Sequence, residues 1–144
     1  MSESPTREFQ PVFWATKRVL AQASAAAFSR HGVHEGQQYV LQCLWAEDGL
    51  TPGEIARRLG LATPTVTRAT ARMEAAGLLR RRPHEGDRRL VRLFLTERGR
   101  ELEEAIGREM DQLSERALSS LDTSERTALV HALDRVRRNL AAGS

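Results

Sequence analysis

The sequence contains one cysteine, few aromatic residues and no long hydrophobic run. The single cysteine, Cys43, excludes an intrachain disulfide bond. No apolar segment approaches the roughly 18 residues that a membrane-spanning helix requires, and the opening MSESPTREFQ lacks the basic and apolar segments of a secretory signal. These absences predict a soluble, cytoplasmic protein with no membrane partner. Because aromatic residues make up only 5% of the chain, we expect a core of aliphatic side chains.

The positive charge of the chain is concentrated in its middle. Residues 57–92 contain ten arginines and three acidic residues, a net charge of +7, whereas the other 12 basic and 16 acidic residues sum to −4. A division of this kind favours a polyanionic partner that faces the middle of the chain. A solvated, arginine-rich surface is the alternative that charge alone leaves open. The length of 144 residues suits a single domain, 1–144.

Two helices are predicted in the first third of the chain. An alanine-rich segment with apolar residues at helical spacing predicts a helix over residues 9–31, in which Pro11 is tolerated in the first turn. A second helix is expected over residues 35–47, with its apolar residues on one side. Residues 1–7 and 141–144 are expected to be loose ends.

Start and stop signals for two short helices follow. The sequence TPGE at 51–54 is a capping box with proline at the first helical position, and it opens a helix that the glycine at position 60 ends. The sequence TP at 63–64 repeats this signal, with the threonine as the cap, and opens a helix that extends to Ala76. Two short helices joined by a tight, glycine-containing turn are typical of a helix-turn-helix.

The second of these short helices has two chemically different faces. Four residues at helical spacing are expected to pack inward, namely Val66, Ala69, Thr70 and Met73. The opposite side presents Thr65, Arg68 and Arg72 to solvent. Guanidinium and hydroxyl groups both bind phosphates and the edges of bases. The exposed face therefore predicts a nucleic-acid contact.

The arginine-rich segment that comes next alternates like a strand and predicts an antiparallel hairpin. Its turn is placed at residues 84–87 and its second strand over residues 89–95. A thin ribbon that carries Arg88 and Arg89 suits a narrow minor groove, where the negative potential is enhanced. Asp87 is expected to accept hydrogen bonds from a neighbouring arginine and to fix the tip. The alternative is a structural hairpin whose arginines are merely solvated.

The rest of the chain is predicted to be helical. Thr96 caps a long helix. Its apolar residues recur every three to four positions, and they are Leu102, Ile106, Met110, Leu113, Ala117 and Leu121. A further capping box, from Asp122 to Glu125, opens a last helix that runs to about Leu140. Apolar stripes on long helices at both ends of the chain exceed what one copy covers, so a helical homodimer is expected.

These motifs, in this order, resemble the MarR family, the multiple-antibiotic-resistance type of bacterial transcriptional regulator. The resemblance extends over about residues 9–140. Its most specific part is the wing signature Asp-x-Arg, five residues and Leu-Thr, which Asp87, Arg89, Leu95 and Thr96 satisfy. The helix pair LTPGEIARRLGLATPTVTRATARMEAAGLLRR also follows the family pattern.

The resemblance implies a fold that is mainly α with a small β-wing. Residues 35–95 then form a winged helix-turn-helix lobe, and residues 9–31 and 97–140 form the dimerisation region. The implied function is sequence-specific binding of double-stranded DNA by a two-fold homodimer on a pseudo-palindromic operator. The implied regulation is repression, relieved by a small and often phenolic or aromatic anion. The residues implied to contact DNA are Thr63, Pro64, Thr65, Thr67, Arg68, Arg72, Asp87, Arg88 and Arg89.

The effector site is less well defined than the DNA contacts. The family pocket lies among the first, second and long C-terminal helices, and five residues could supply aromatic or cationic surface there: Trp14, Arg18, His31, His34 and Tyr39. For each of them a role in the core, at a helix end or in solvent is the alternative. A redox response through Cys43 is disfavoured because we expect that thiol to be buried and inert. A metal response through His31, His34 and Glu35 is disfavoured because three ligands alone are a weak zinc signal. No metal or other cofactor is predicted.

Two other classes of function are weighed against DNA binding. An enzyme is not predicted, because the chain has no phosphate loop, nucleophile motif or paired carboxylates, and its four histidines are scattered. A winged helix that contacts other proteins is the second rival. Such modules usually lose their cationic outer face, whereas Arg68, Arg72, Arg88 and Arg89 are all present in this sequence.

Overall fold

The computed structural model describes residues 4–34 and 36–143. Within these ranges the chain forms six helices and one hairpin, which confirms the predicted mainly α fold with a small β-wing. The elements are α1 (Pro5–Arg30), α2 (Gln37–Ala46), α3 (Pro52–Leu59), α4 (Thr63–Ala75), β1 (Leu79–Pro83), β2 (Val91–Leu95), α5 (Glu97–Ala117) and α6 (Thr123–Ala142). The chain divides into two compact units, the first ending at Met110 and the second beginning at Asp111. None of the described helices is both long and apolar enough to cross a membrane.

Helix α1 begins earlier than the sequence pattern predicts. The predicted start at residue 9, with Pro11 in the first turn, is wrong, since α1 begins at Pro5 and Pro11 lies inside the helix. Pro5 takes the first helical position, where no intrahelical partner for an N–H exists, and the Ser4 carbonyl accepts two N–H groups of the first turn at 2.8 and 3.1 Å. Pro11 leaves the helix without one internal hydrogen bond. Residues 5–7, expected to be loose, are helical, as are residues 141 and 142 at the end of α6.

Helix α2 is shorter than the predicted span of 35–47. Gly36 has a φ of 90° and precedes the helix in the left-handed region, and Glu47 follows it with an extended backbone. These two conformations confine the helix to Gln37–Ala46. Glu35 lies outside the described residues.

The two helices of the helix-turn-helix begin in different ways. At the start of α3 the Thr51 cap is confirmed, because the Thr51 hydroxyl accepts the Glu54 N–H at 3.2 Å. The reciprocal bond of the predicted capping box, from the Thr51 N–H to the Glu54 side chain, is absent from the described hydrogen bonds. At the start of α4 the prediction of Thr63 as the cap is wrong, because Ala62 is the capping residue and Thr63 is the first helical residue. The Ala62 carbonyl accepts two N–H groups of the first turn at 3.0 and 3.3 Å, so this turn closes without a capping side chain.

The core of the first unit consists mainly of aliphatic side chains, as predicted, together with Phe28 of α1. The aliphatic side chains come from α2, α3, α4, the hairpin, the first half of α5 and the segments that connect these elements. The largest fully buried ones are Leu41, Leu44, Leu50, Ile55, Met73, Leu78, Leu79, Leu93 and Ile106. Among the described residues of α1, only Ala27 and Phe28 are buried. The core therefore positions α3, α4 and the hairpin as one lobe.

The hairpin is shorter than predicted at its turn. Strands β1 and β2 pair antiparallel over their full lengths, but β2 begins at Val91 and not at residue 89, so that prediction is wrong. Asp87 is the cause. Its carbonyl oxygen accepts the Leu90 N–H at 3.0 Å and its carboxylate accepts the Arg89 N–H at 2.9 Å. These bonds turn the chain before the second strand can pair.

Helix α5 begins against the base of the hairpin. The predicted Thr96 cap is confirmed, because the Thr96 hydroxyl accepts the Gly99 N–H at 3.1 Å. A β-carbon on Gly99 would lie 2.5 Å from the Leu78 carbonyl oxygen, so only glycine allows this approach. The Trp45 indole N–H donates to the Gly99 carbonyl at 2.9 Å. The first turn of α5 is thus positioned both by its close contact with Leu78 and by its hydrogen bond from Trp45.

Asp48 joins three segments in the same region. It lies in the loop between α2 and α3, and one carboxylate oxygen accepts the Leu95 N–H at 2.9 Å. Its other oxygen lies 3.4 Å from the Arg100 guanidinium. One side chain therefore connects the loop, the end of β2 and the first turn of α5.

The second unit begins inside α5. Leu121, predicted as the last apolar residue of that helix, lies beyond its end at Ala117. The Arg126 guanidinium donates to two carbonyl oxygens of the intervening turn at 3.0 and 3.2 Å, which stabilises the turn in place of helix. The predicted capping box of α6 is confirmed by reciprocal hydrogen bonds between Asp122 and Glu125, at 2.8 and 3.1 Å.

Candidate nucleic-acid interface

Helix α4 has the two faces that the sequence predicts. Val66, Thr70 and Met73 are buried to 1% exposure or less, and Ala69 is half-buried. The six residues of α4 implied to contact DNA are all exposed, and they are Thr63, Pro64, Thr65, Thr67, Arg68 and Arg72. Burial of one face fixes the helix on the core, so the other face is held outward as a rigid surface.

The side chains of Arg68 and Arg72 have no acidic or hydrogen-bonding partner among the described residues. Together with Thr65 and Leu61 they line an open groove of about 240 Å³ along α4. An exposed guanidinium without an intramolecular partner keeps its five N–H donors available. The face can therefore bind an anionic or hydrogen-bonding ligand without first breaking an ion pair.

Thr63 and Thr67 lie one turn apart on α4 and differ in their hydroxyl groups. The Thr67 hydroxyl donates to the Thr63 carbonyl at 3.0 Å, so its proton is already committed inside the helix. The Thr63 hydroxyl has no partner in the part of the chain that the structure describes. A hydroxyl group binds a phosphate oxygen by donating its proton in a hydrogen bond. Thr63 is therefore the better hydroxyl donor of the two.

The hairpin tip is organised by Asp87. Besides the N–H of Arg89, its carboxylate contacts the Arg89 guanidinium at 3.3 and 3.4 Å, as the sequence predicts. The Arg89 N–H, followed by its guanidinium, holds the pKa of Asp87 below its ordinary value of 3.8. The Arg89 side chain remains 91% exposed, so its guanidinium is both oriented and accessible. Arg88, also exposed, has no partner among the described residues.

Other arginines of the cationic segment are engaged within the protein. Arg58 pairs with Glu47. Arg92 donates to the Gly49 carbonyl at 3.1 Å and lies 3.3 Å from the His84 ring nitrogen. These contacts join α3 and β2 to the segment between α2 and α3. The charge count of the sequence does not distinguish them from the arginines that are open to a ligand.

Sequence reasoning missed a second groove, which lies between α4 and the hairpin. It measures about 410 Å³, and its walls are the first turn of α3, the first turn of α4 and the hairpin. Arg57 and Arg81 line it beside Arg89, Thr63 and Thr67. The signal was present in the sequence, because Arg57 lies on the exposed side of α3 and Arg81 alternates with Arg80 along β1. Only the packing of these elements shows that the two arginines face one groove.

The five proposed effector residues are not brought together by any hydrogen bond, ion pair or ring contact among the described residues. Trp14 is half exposed, packs edge-on against Phe13 at 5.4 Å and lies 5.0 Å from the Lys17 ammonium. His31 is bonded to Glu109, which also accepts two bonds from Arg30 at 2.7 and 3.1 Å. The three others, Arg18, His34 and Tyr39, are exposed. Neither of the two grooves contains any of the five.

The redox and metal alternatives gain no support. Burial raises the pKa of Cys43, and the opposing effect of Arg58 is smaller, so the thiolate that reacts with oxidants is disfavoured. Cys43 packs against the core but is only half-buried, so the prediction of a buried thiol is wrong in that respect. In residues 4–34 and 36–143 no group of histidine, cysteine and acidic side chains has a geometry suited to a metal ion.

Comparison with known proteins places this geometry in a family. The MarR family sequence model matches residues 34–91. The HTH-type transcriptional regulator TtmR of Methylorubrum extorquens (strain PA1) is 34% identical over 131 residues, which cover 90% of this chain and 65% of that protein. A MarR family protein from Bacillus stearothermophilus is similar in structure, with a TM-score of 0.85, 25% identity and coverage of 98% of this chain and 99% of that one.

A second solved structure has the same fold. It is a putative MarR family transcriptional regulator from Listeria monocytogenes complexed with 26mer DNA, with a TM-score of 0.72, 24% identity and coverage of 99% of this chain and 92% of that one. The sequence motifs, the winged helix-turn-helix geometry and these similarities agree. The chain belongs to the MarR family of helix-turn-helix transcriptional regulators, whose members regulate transcription and are not enzymes.

Proposed function

We propose that this protein is a sequence-specific, double-stranded DNA-binding regulator that acts as a homodimeric repressor. The observation that carries the proposal is the exposed face of α4, where the guanidinium groups of Arg68 and Arg72 have no partner among the described residues. The arginine-bearing tip of the hairpin belongs to the same lobe. The Listeria relative, complexed with 26mer DNA, adds support from outside the chain.

In this proposal α4 enters the major groove. Arg68 and Arg72 contact guanine edges or phosphates, and Thr63, Pro64, Thr65 and Thr67 lie at the bases and the backbone beside them. A well-placed bidentate contact to a base contributes about 1–3 kcal/mol of discrimination against the wrong base pair. The rigidity of α4 on its buried face supports this role, because a fixed helix loses little conformational freedom when it binds.

The hairpin reads the flanking minor groove. Arg89 enters it, Asp87 holds the Arg89 side chain in place, and Arg88 contacts the backbone. Narrow A·T-rich minor grooves have the enhanced negative potential that attracts arginine. The exposure of the oriented Arg89 guanidinium supports this assignment.

The homodimer is supported by apolar side chains that one copy leaves exposed. On α1 they are Phe9, Val12, Phe13, Trp14, Val19 and Leu20, and on α6 they are Leu129, Val130, Leu133 and Leu140. Helix α6 has no buried residue in the described chain. A second copy that covers these residues gives a two-fold dimer, and its two α4 helices then require half-sites about 10–10.5 base pairs apart. Light scattering tests the dimer, which has twice the chain mass of 16.1 kDa.

Fluorescence anisotropy tests DNA binding. The labelled duplexes are the DNA upstream of the protein's own gene and a scrambled duplex of the same composition, each titrated across a salt series. We expect the upstream duplex to contain the operator and to bind with a Kd of about 10⁻⁸ M or lower. For the scrambled duplex we expect a Kd of roughly 10⁻⁴ to 10⁻⁶ M. Arg68→Ala and Arg89→Ala should abolish specific binding and leave the dimer mass unchanged. Absence of binding to either duplex at low salt contradicts the proposal and favours the protein-contact rival.

Release of the repressor by a small organic anion completes the proposal. This part is supported by the family resemblance, with Trp14, Arg18, His31, His34 and Tyr39 as the candidate contacts. Screening phenolic and aromatic carboxylates for release of the labelled operator tests it. An active compound should lose its effect when Arg18 or Tyr39 is replaced by alanine, while operator binding without the compound is retained.

A further inference from the structure

Two neighbouring grooves of DNA are separated by one sugar–phosphate backbone. If α4 lies in the major groove and the hairpin lies in the adjacent minor groove, that backbone must pass between them. The groove of about 410 Å³ between α4, the first turn of α3 and the hairpin lies at this place. We propose that this groove receives the DNA backbone and that Arg57 and Arg81 are its phosphate-binding residues. The inference rests on the proposed function and adds two positioning residues to it.

The charge of the groove suits a phosphate. Arg57, Arg81 and Arg89 line it together with one acidic residue, Glu54, which gives a net charge of +2. The Thr63 hydroxyl, which has no intramolecular partner among the described residues, is on the same wall. Guanidinium groups bind phosphate through two parallel N–H donors and are the usual choice for this contact.

Arg57 lines the groove beside the first turn of α3. Its guanidinium reaches back along α3, as helical side chains do, and lies 3.8 Å from the position that a β-carbon on Gly53 would take. Thr51 accepts the N–H groups of Glu54 and Ile55 at 3.2 and 3.1 Å, whereas the Gly53 N–H has no partner in the described chain. A free N–H at the positive end of a helix adds to the attraction of Arg57 for an anion.

Arg81 reaches the groove from the opposite wall. Its Nε lies 3.5 Å from the Glu74 carboxylate, which orients the side chain and leaves the terminal nitrogens open. Its neighbour Arg80 is paired with Phe94 in the hairpin register, whereas Arg81 is paired with Leu93. Side chains alternate between the two faces of a strand. Arg80 therefore carries the same charge on the other face of the same ribbon and is a matched control.

The salt dependence of binding separates a phosphate contact from a base contact. In the anisotropy assay, Arg57→Ala and Arg81→Ala should weaken binding to the operator and to the scrambled duplex by the same factor. Each should reduce the magnitude of the negative slope of log association constant against log salt concentration by about 1. Arg80→Ala should change the slope less than either. Because all three side chains are exposed, these variants should keep the wild-type melting temperature.

Gly53→Ala gives an independent test of the space in the groove. The backbone of Gly53 does not need glycine, since its φ is not positive and no heavy atom lies closer than 3.8 Å to the added carbon. Alanine favours helix over glycine, so the melting temperature should stay equal or rise. The methyl group occupies the space beside Arg57, and affinity for both duplexes should fall.

The inference is overturned if Arg57→Ala and Arg81→Ala leave the affinity and the salt slope at the wild-type values. A loss confined to the operator also overturns it, because the two arginines would then read bases. Neither result affects the proposed function. If wild-type protein does not prefer the operator, the proposed function itself fails, and the inference fails with it.

Discussion

Gly99 brings the first turn of α5 so close to Leu78 that a β-carbon at position 99 would lie 2.5 Å from the Leu78 carbonyl oxygen. We expect Gly99→Ala to lower the free energy of unfolding by about 1–3 kcal/mol, because the clash is with backbone and cannot be relieved by a side-chain rotation. Urea denaturation measures the change. Gly107→Ala, on the same helix with no atom within 4 Å of the added carbon, should instead stabilise the protein by about 0.5–1 kcal/mol. A Gly99→Ala variant with wild-type stability would show that the backbone around Leu78 moves away from the added carbon at no cost.

Asp87 lies at the hairpin tip, where its negative charge opposes DNA binding. Charge alone therefore predicts that Asp87→Ala strengthens binding. We expect the opposite, a loss of affinity of about fivefold or more, because Arg89 loses the carboxylate that orients it and with it a charge-assisted contact to DNA. The measurement is operator affinity at fixed salt.

Glu85→Ala is the matched control for Asp87→Ala. Glu85 lies in the same turn, its side chain is 86% exposed, and it contacts Arg92 only at 4.0 Å. Removing it takes away the same charge without affecting Arg89, so affinity should rise or stay the same. If both variants strengthen binding, Asp87 acts through its charge and the orienting role is contradicted.

Thr63 and Thr67 should differ in their effects on DNA affinity. Thr63→Val removes a hydroxyl donor that has no intramolecular bond in the described chain, and we expect a loss of about 1 kcal/mol, or about fivefold in affinity. Thr67→Val removes a hydroxyl whose proton already bonds to the Thr63 carbonyl, and we expect a smaller loss. Valine keeps the branched shape in both. Anisotropy with the operator compares the two, and a larger effect at Thr67 would contradict the assignment.

Glu109 links acid stability to the end of α1. Hydrogen bonds from Arg30, and then from His31, lower the pKa of Glu109 from its ordinary value of 4.5. Since the folded pKa lies below the unfolded one, the stabilisation is complete above about pH 4.5 and is lost as the pH falls through the lowered value. We expect Arg30→Ala to raise the pKa of Glu109 and to reduce stability above pH 4.5, with the difference vanishing in acid.

Carbon-detected NMR titration of the Glu109 carboxyl measures this pKa, and urea denaturation at several pH values measures the stability difference. Arg108→Ala is the control, because Arg108 pairs with Glu104 on the same helix. It should leave the Glu109 titration unchanged. A Glu109 pKa that does not move in Arg30→Ala would show that the ion pair is too solvated to matter.

Local signals in the sequence were sufficient for most of the fold. The caps at Thr51, Thr96 and Asp122 depend on hydrogen bonds within one helical turn, and all three are where the sequence predicts them. The buried and exposed faces of α4 follow from helical spacing alone. The start of α4 was misplaced because a threonine before a proline is a typical cap, whereas Thr63 is already helical and the first turn closes on the Ala62 carbonyl without a capping side chain.

The structure was needed to separate the arginines that are paired within the protein from those that are open to a ligand. Arg58 and Arg92 look like the others in the sequence, but they bind Glu47 and the Gly49 carbonyl, which are far from them along the chain. The convergence of Arg57 and Arg81 on one groove depends in the same way on how α3 packs against the hairpin. Such relationships come from tertiary packing, and no pattern within a single helix or strand contains them.

The carboxylate of Asp48 has a mechanical consequence. One of its oxygens accepts the Leu95 N–H and the other contacts Arg100, so the last residue of β2 and the first turn of α5 are attached to the same rigid group. We therefore expect a displacement of the first turn of α5 to be transmitted to the end of β2 and, along the hairpin, to Arg89 at its tip.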